Sequence, residues 1–225
     1  MNITKDEKPK KINIKDIAKI AKVSSSTVSR ALRNDNEASK RTINKIKKIA
    51  KKLNYYPDAL AKSLRVDKSN TIGIILNDMN NPFYSEVLWS IYKKLNEINY
   101  SIIITYSNWD LVLERKNIIN LLSRRVDGII ISPILSLSDR KVINMDLLIE
   151  NNIETVFVDN CPNQENVCYS GSDHQKAIYT GTKYLIENGH KEILFYSAMP
   201  ISYTELYKEG YCKALAENNI KIKKI

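Results

Sequence analysis

The sequence predicts two folds in one chain: an all-α N-terminal head of three short helices, followed by a larger α/β domain. Apolar residues recur at helical spacing through the first 56 residues, whereas strand-like apolar runs alternate with amphipathic segments after residue 70. The charge changes at the same point. Residues 1–70 hold 19 Lys/Arg against 7 Asp/Glu, a net charge of +12, and residues 71–225 hold 16 against 18, a net charge of −2.

Three helices are predicted in the head. The first covers "INIKDIAKIAK", the second "VSSSTVSRAL", and the third runs from Ser39 to Asn54. The positions expected to face the core are Ile14, Ile17, Ala18, Ile20 and Ala21, then Val28, Ala31 and Leu32, then Ile43, Ile46, Ile49, Ala50 and Leu53. We therefore divide the chain into a basic tail (1–11), a three-helix domain (12–56), a connecting segment (57–70) and an α/β domain (71–225).

Two short helices joined by a tight turn and followed by a third indicate a helix-turn-helix DNA-binding domain, whose second helix enters the major groove. Ser24 is a good N-cap for that helix. Ser25, Ser26 and Ser29 are short enough to allow close approach to DNA, and the forked guanidinium of Arg30 suits guanine O6 and N7. The alternative is that the serines only cap the helix and form a polar surface. The concentrated positive charge favours a polyanionic partner.

The α/β domain shows strand-like runs at "TIGIIL", "SIIITY", "DGIIIS" and "TVFVD", with a fifth strand expected at 192–197. Amphipathic segments at 83–96 and 113–124 lie between them, which favours a parallel sheet covered by helices. Ligands bind such sheets beyond the carboxyl ends of the strands. There the segments "NDMNNPFY", "SNWD", "SPI" and "DNC" supply amide, hydroxyl, carboxylate and ring groups, which suit a small polar ligand such as a sugar.

The segments "NIKDIAKIAKVSSSTVSRALRND", "LNYYPDALAKSLR", "TIGIILNDMNNPFYSEV", "RRVDGIIISP" and "YLIENGHKEILFY" resemble the LacI-type transcriptional regulators over residues 12 to 220. The resemblance implies that Ser25, Ser26 and Arg30 read bases. It also implies that Ser24, Thr27 and Asn34 touch phosphates.

The same resemblance gives the segment after the head a role. Pro57 ends the third helix, and "DALAKSLR" is too short to form a stable helix alone in water. It is similar to the family's hinge helix, which implies that Leu64 is a wedge in the minor groove, with Ala61 allowing close approach and Arg65 nearby. An ordinary interdomain linker is the alternative. Asp58 departs from the Asn or Ser that is common at its position.

For the second domain the resemblance implies a periplasmic-binding-protein-like fold that binds an effector. The positions that match its pocket are Phe83, Tyr84, Trp109, Asp159 and Asp173. Simpler roles remain open: Phe83 and Tyr84 as core residues, Trp109 as a surface patch and Asp159 as a turn cap. Tyr207 stands where the family usually has an arginine.

Taken as a whole, the resemblance implies a homodimer that binds a palindromic operator and responds to a sugar-like effector, with repression the commoner outcome. The three cysteines are an odd number without CxxC spacing, which favours a reduced, cytoplasmic compartment. Family members continue well beyond "ALAENNIKIKKI", so we expect a C-terminally truncated chain with an incomplete second subdomain. We expect no enzyme, metal or cofactor, since only His174 and His190 and six glycines occur and no nucleotide-binding or nucleophile motif is present. No apolar run approaches about 18 residues, so we expect no membrane span. A non-inducible remnant and a ligand-binding module without DNA activity are the alternatives.

Overall fold

The computed structural model describes residues 12–32, 39–56, 68–160, 162–197 and 204–222. The chain forms two compact units, residues 1–67 and residues 68–225. No helix in the described ranges combines the length and the apolar character needed to cross a membrane.

The first unit contains three helices, α1 (Ile14–Ala21), α2 (Ser25–Leu32) and α3 (Lys40–Lys52). They pack around one small core, whose buried members are Ile17, Ala18, Ala21, Val28, Ala31, Ile46 and Ala50. One expected core position is wrong, because Ile20 is 53% exposed. The helical spacing puts Ile20 at the margin of the apolar stripe, and the narrow face of an eight-residue helix does not bury it.

Local hydrogen bonds fix where these helices begin and end. Asn13 caps α1 through a capping box in which Asn13 and Asp16 each accept the other's backbone N–H. Lys22 ends α1 by adopting the left-handed backbone conformation, with φ of 60°. The chain therefore turns at once, and only three residues connect α1 to α2. Ser39 caps α3 by accepting the N–H of Thr42 at 3.2 Å. These caps produce the tight turn that the sequence indicates.

The second unit is built on a five-stranded parallel sheet. Its strands are β1 (Thr71–Leu76), β2 (Ser101–Tyr106), β3 (Gly128–Ile131), β4 (Thr155–Val158) and β5 (Cys168–Ser170), in the spatial order β2-β1-β3-β4-β5. The connecting helices are α4 (Pro82–Glu97), α5 (Leu111–Ser123) and α6 (Met145–Glu150). The strand order reverses at β1, so β2 and β3 flank it, and this switch point is where open α/β sheets bind ligands.

Two further helices, α7 (His174–Glu187) and α8 (Thr204–Glu217), pack against each other. Gly210 makes this packing possible, because a Cβ at that position would collide with the backbone oxygen of Gln175. The strand expected at 192–197 is wrong: residues 191–197 pair with no strand in the described part of the chain. An apolar run becomes a strand only when a neighbour supplies ladder hydrogen bonds, and here the segment packs on α8 through Phe195 and Tyr211 instead.

Candidate functional site

The first turn of α2 presents a cluster of hydroxyl groups. Ser24 Oγ accepts the backbone N–H of Thr27 at 3.1 Å, so Ser24 caps the helix. The same oxygen lies 2.7 Å from Ser26 Oγ and 2.8 Å from Thr27 Oγ1. Ser24 and Ser26 are exposed, and Ser25 and Thr27 are half-buried. Donors and acceptors therefore surround a helix N-terminus whose dipole favours negative charge.

The next turn of α2 continues this polar face. Ser29 lies four residues after Ser25, and Arg30 lies four residues after Ser26, so the four side chains lie on one half of the helix. Val28 and Ala31 point the other way and are fully buried. The apolar half of α2 is therefore fixed in the core, which holds the polar half at the surface of the unit. Ser29 and Arg30 are both half-buried.

Helix α3 makes this unit strongly basic. Seven of its 13 residues are Lys or Arg, and most of them are exposed. Lys45 Nζ donates to the backbone oxygen of Ala21 at 3.0 Å, which ties α3 to the end of α1. A positive field around α2 increases the local concentration of a polyanion. Four predicted DNA-binding residues lie outside the described residues: Asn34, Ala61, Leu64 and Arg65.

In the second unit, one hydrogen-bond network joins the carboxyl ends of four neighbouring strands. Ser107 Oγ donates to Asn77 Oδ1 at 2.8 Å, and Asn77 Nδ2 donates to Ser132 Oγ at 3.0 Å. Tyr84 OH lies 3.1 Å from Ser132 Oγ and donates to Asp159 Oδ2 at 2.9 Å. Asn77, Ser107 and Ser132 are completely buried, so the network ends at the partly exposed Asp159. We call these five residues the strand-end network.

Asp159 is the point at which this network meets solvent. It adopts a positive φ of 67°, which is uncommon for a residue other than glycine and is found at functional sites. Its Oδ1 lies 3.7 Å from His174 Nε2, and Tyr169 OH donates to its backbone oxygen at 3.1 Å. Burial raises the pKa of the Asp159 carboxyl above its ordinary value, while the Tyr84 hydrogen bond and His174 oppose that rise.

Several aromatic groups lie near Asp159. The His174 and Tyr207 rings meet edge to face with centroids 5.3 Å apart, and the Asp159 charge contributes to a raised pKa of Tyr207, after burial. Burial, followed by the Asp159 charge, also raises the pKa of Tyr84. Tyr84 therefore remains a hydrogen-bond donor to Asp159 across the physiological range.

The other predicted effector residues have different surroundings. Phe83 is 46% exposed and packs edge-on against Tyr84, with ring centroids 5.3 Å apart, whereas Tyr84 is buried in the core. Trp109 is half-buried after β2 with φ of 61°. Asp173 caps α7 by accepting the N–H of Lys176 at 2.9 Å. Tyr84 and Asp159 are thus joined directly, and Asp173 is engaged in capping.

The sequence reading named the segments after the strands but missed Asn77, Ser107, Ser132 and His174 as individual site residues. A positional signal identifies three of them, since Asn77, Ser107 and Ser132 each follow immediately after the last residue of a strand, as Asp159 does. His174 is the first residue of α7. Polar residues directly after apolar strands are therefore the pattern that marks this edge of the sheet.

The opposite edge of the sheet holds the point where the chain enters the unit. Asp127 precedes β3, and its carboxylate accepts the Ser69 N–H at 2.7 Å, the Ser69 hydroxyl at 2.8 Å and the Asn70 N–H at 2.9 Å. Burial acts to raise the pKa of Asp127, but these hydrogen bonds together hold it below its ordinary value. This carboxylate clamp fixes the start of β1 to β3, directly after residues 57–67.

A separate concavity lies away from the strand-end network. An open depression of about 450 Å³ is formed at the C-terminal ends of α7 and α8, and it is lined by Ile186, Gly189, His190, Lys191, Asn218, Asn219 and Ile220. None of these residues belongs to the strand-end network. No group of three His, Cys, Asp or Glu in the described ranges is placed to hold a metal ion.

Family models match both units. The model of bacterial regulatory proteins of the lacI family matches residues 13–58, and that of periplasmic binding proteins and the sugar-binding domain of the LacI family matches residues 69–225. The chain therefore belongs to the LacI family, a family of DNA-binding regulators rather than enzymes.

Relatives in other organisms agree with this placement. The chain is 31% identical over 213 residues to the HTH-type transcriptional repressor PurR of Histophilus somni, covering 93% of this chain and 62% of that protein. It is 33% identical over 213 residues to the HTH-type transcriptional regulator RegA of Clostridium saccharobutylicum, covering 93% of this chain and 63% of that protein. The chain thus spans less than two thirds of the length of these relatives.

A solved structure shows the same fold. The lac repressor dimer bound to operator and the anti-inducer ONPF superposes with a TM-score of 0.80 at 24% identity, covering 94% of this chain and 64% of that one. At that identity the likeness establishes the architecture of the three-helix unit and the α/β unit.

Proposed function

We propose that this chain is a sequence-specific DNA-binding transcriptional regulator, acting as a repressor, whose second unit binds a small polar effector. The observation that carries the proposal is the polar half of α2, where serine hydroxyls and Arg30 lie on the surface of a strongly basic three-helix unit. Membership of the LacI family supports it, as do the names of the relatives PurR and RegA.

In the proposed complex α2 lies in the major groove. Ser25, Ser26 and Ser29 contact base edges, and Arg30 donates two parallel hydrogen bonds to guanine. The phosphate contacts come from Ser24 and Thr27, beside the positive end of the α2 dipole, and from Asn34. Leu64 wedges into the minor groove, with Ala61 and Arg65 beside it, and the cost of unstacking a base step is offset by contacts that the bend permits.

The effector binds at the carboxyl edge of the sheet, at Asp159 with Phe83, Tyr84, Trp109 and Asp173. The carboxylate clamp that receives the hinge segment lies at the other edge, about 20 Å away along a six-residue strand. A change at one edge therefore reaches the hinge only through movement of the sheet and its helices as rigid bodies. Effector binding favours one of two such arrangements and shifts DNA affinity by its preference for that arrangement.

The proposed working form is a homodimer in the cytoplasm, because a palindromic operator presents two identical half-sites to a two-fold symmetric protein. A ligand-binding module without DNA activity is the alternative function. Under this alternative the strand-end network would still bind a ligand, and the exposed hydroxyls of α2 would have no role in DNA binding.

Selection from a random pool of DNA duplexes tests the proposal. The purified chain is incubated with the pool at physiological salt, and retained duplexes are sequenced against the input. We expect enrichment of a two-fold symmetric sequence. Retention of DNA without enrichment of any sequence would show that the three-helix unit binds polyanions without sequence preference. No retention of DNA would favour the ligand-binding module.

A further inference from the structure

The end of β4 has hydrogen-bond acceptors in excess of donors. Asp159 Oδ2 accepts from Tyr84, but Oδ1 has no donor within hydrogen-bond distance among the described residues, since His174 Nε2 lies 3.7 Å away. Asn160 is 1% exposed, and its Oδ1 has no hydrogen-bond partner in the described part of the chain. A carboxylate oxygen offers two lone pairs, so Asp159 Oδ1 can accept from a ligand.

Asp159 is also poorly neutralised. Within the described ranges no Lys or Arg lies within 4 Å of its carboxylate, and the neighbouring basic group is the His174 ring, whose Nε2 lies 3.7 Å from Oδ1. The lysines and arginines that form ion pairs in the described part of this unit do so with other carboxylates, such as Arg115 with Asp146. A ligand at this position therefore meets a carboxylate whose side chain is only 14% exposed, where charges are weakly screened by water.

The walls of this position add to the preference. Tyr84 donates its hydroxyl to Asp159, and Phe83 packs edge-on against Tyr84. Tyr207 lies near enough for the Asp159 charge to contribute, after burial, to its raised pKa. Aromatic rings attract ammonium groups, and the carboxylate offers a charge-assisted hydrogen bond to the same group. An anionic ligand would meet like charge, and a neutral hydroxyl would gain only an ordinary charge-assisted hydrogen bond.

We propose that the effector of this chain is a small polar molecule that carries a protonated primary amine, such as an amino sugar, and that the amine donates to Asp159 Oδ1. This inference rests on the proposed role of the second unit as an effector receptor. It excludes phosphorylated sugars and sugar acids, because the site has no lysine or arginine among its described residues to receive them.

Isothermal titration calorimetry on the purified chain tests this with matched probes. Each amino sugar is paired with its parent hexose and its uronic acid: D-glucosamine, D-galactosamine and D-mannosamine, then glucose, galactose and mannose, then the hexuronates. We expect at least one amine to bind about tenfold or more tighter than its parent hexose, since the two differ by one charged hydrogen bond. Tighter binding of every neutral or acidic partner, or no binding by any amine, would overturn the inference.

Single substitutions test whether the preference for an amine arises at Asp159. Asp159→Asn should remove the preference for the amine, whereas Asp139→Asn, which removes an exposed carboxylate paired with Lys141, should keep it. Tyr207→Arg should also remove it by placing a cation beside Asp159. An amine preference that persists in both Asp159→Asn and Tyr207→Arg would overturn the assignment to this site.

The DNA selection separates this inference from the proposed function. Amine binding without sequence-specific retention of DNA would support the proposed ligand class and contradict the proposed function as a DNA-binding regulator. Sequence-specific retention of DNA without any amine binding would support the proposed regulator and contradict the proposed ligand class.

Discussion

Glu114 shows how one buried carboxylate organises a loop. It is completely buried in α5, where Oε2 accepts the Ile134 N–H at 2.8 Å and Oε1 accepts Asn144 Nδ2 at 2.8 Å. Burial raises its pKa above the ordinary value, and the two hydrogen bonds oppose that rise. Both partners are donors, so the site requires two acceptors.

Glu114→Gln should therefore destabilise the second unit by about 1–3 kcal/mol at pH 7, because the amide NH₂ would face a donor. Both tryptophans, Trp89 and Trp109, lie in this unit, so urea unfolding followed by tryptophan fluorescence reports on it alone. Glu86→Gln, at an exposed position of α4, is the control and should be neutral. Equal stability of Glu114→Gln and the unchanged chain would show that the network around Glu114 is unimportant.

The raised pKa of Glu114 determines how its contribution to the free energy of unfolding changes with pH. A carboxyl whose pKa is raised on folding binds more protons in the folded state, so its contribution to stability is fully present below the ordinary glutamate pKa of about 4.3 and declines as pH rises through the raised value. The stability advantage of the unchanged chain over Glu114→Gln should therefore shrink as pH rises above that range and then level off.

At the level of elements, the contact between α7 and α8 depends on the absence of a side chain. A Cβ on Gly210 would collide with the Gln175 oxygen and lie 3.0 Å from the Tyr179 nitrogen, both backbone atoms that cannot move aside. Gly181 lies in the interior of α7 with nothing within 4 Å of its would-be Cβ. The same substitution therefore has opposite consequences at the two glycines.

Gly210→Ala should destabilise the second unit by about 1–3 kcal/mol, through overpacking. Gly181→Ala should stabilise it by about 0.5–1 kcal/mol, because alanine costs less conformational entropy in a helix. Urea unfolding monitored by far-ultraviolet circular dichroism measures both. A stabilising Gly210→Ala would show that α7 and α8 do not pack this closely.

The carboxylate clamp ties Ser69 and Asn70, directly before β1, to Asp127, directly before β3. Asp127→Ala removes three hydrogen bonds, so the amides of Ser69 and Asn70 should exchange with solvent about tenfold faster or more. Because the Asp127 pKa is lowered, its stabilising effect should be lost as pH falls through that lowered value. Asp146→Ala, which removes an exposed ion pair with Arg115, should leave those amides protected; equal exchange in both variants would argue against the clamp.

The sequence allows good prediction of elements whose signals are local. The caps at Ser24 and Ser39 and the apolar spacing of α1 to α3 lie within a few residues of each other, so the three helices could be predicted. β5 could not, because the three residues Cys168–Ser170 carry no apolar run and become a strand only by pairing with β4.

The pairings within the strand-end network could not be predicted from the sequence for a related reason. Asn77 and Ser132 are 55 positions apart and meet only because β3 lies beside β1. That neighbourhood depends on sheet order, which the order of strands along the chain does not reveal. The site residues Tyr84 and Asp159 were predicted through the family resemblance, and their direct hydrogen bond was not.

For the whole molecule, charge and chemistry are divided between the two units. The positive charge is concentrated in the first 70 residues, whereas the second unit is slightly negative and holds the strand-end network. A basic head is attracted to any DNA, since neutralising phosphates releases counterions whatever the sequence. Sequence preference must therefore come from base contacts, and on this account it comes from the polar half of α2.

The most direct test is fluorescence anisotropy, comparing affinity for the selected duplex with affinity for a scrambled duplex of the same composition at one salt concentration. Arg30→Ala should reduce the ratio of the two affinities by about 10–100-fold, the value of one bidentate base contact. Lys48→Ala, at an exposed position of α3, should leave the ratio unchanged. A ratio that Arg30→Ala leaves intact would contradict the claim that α2 reads the operator.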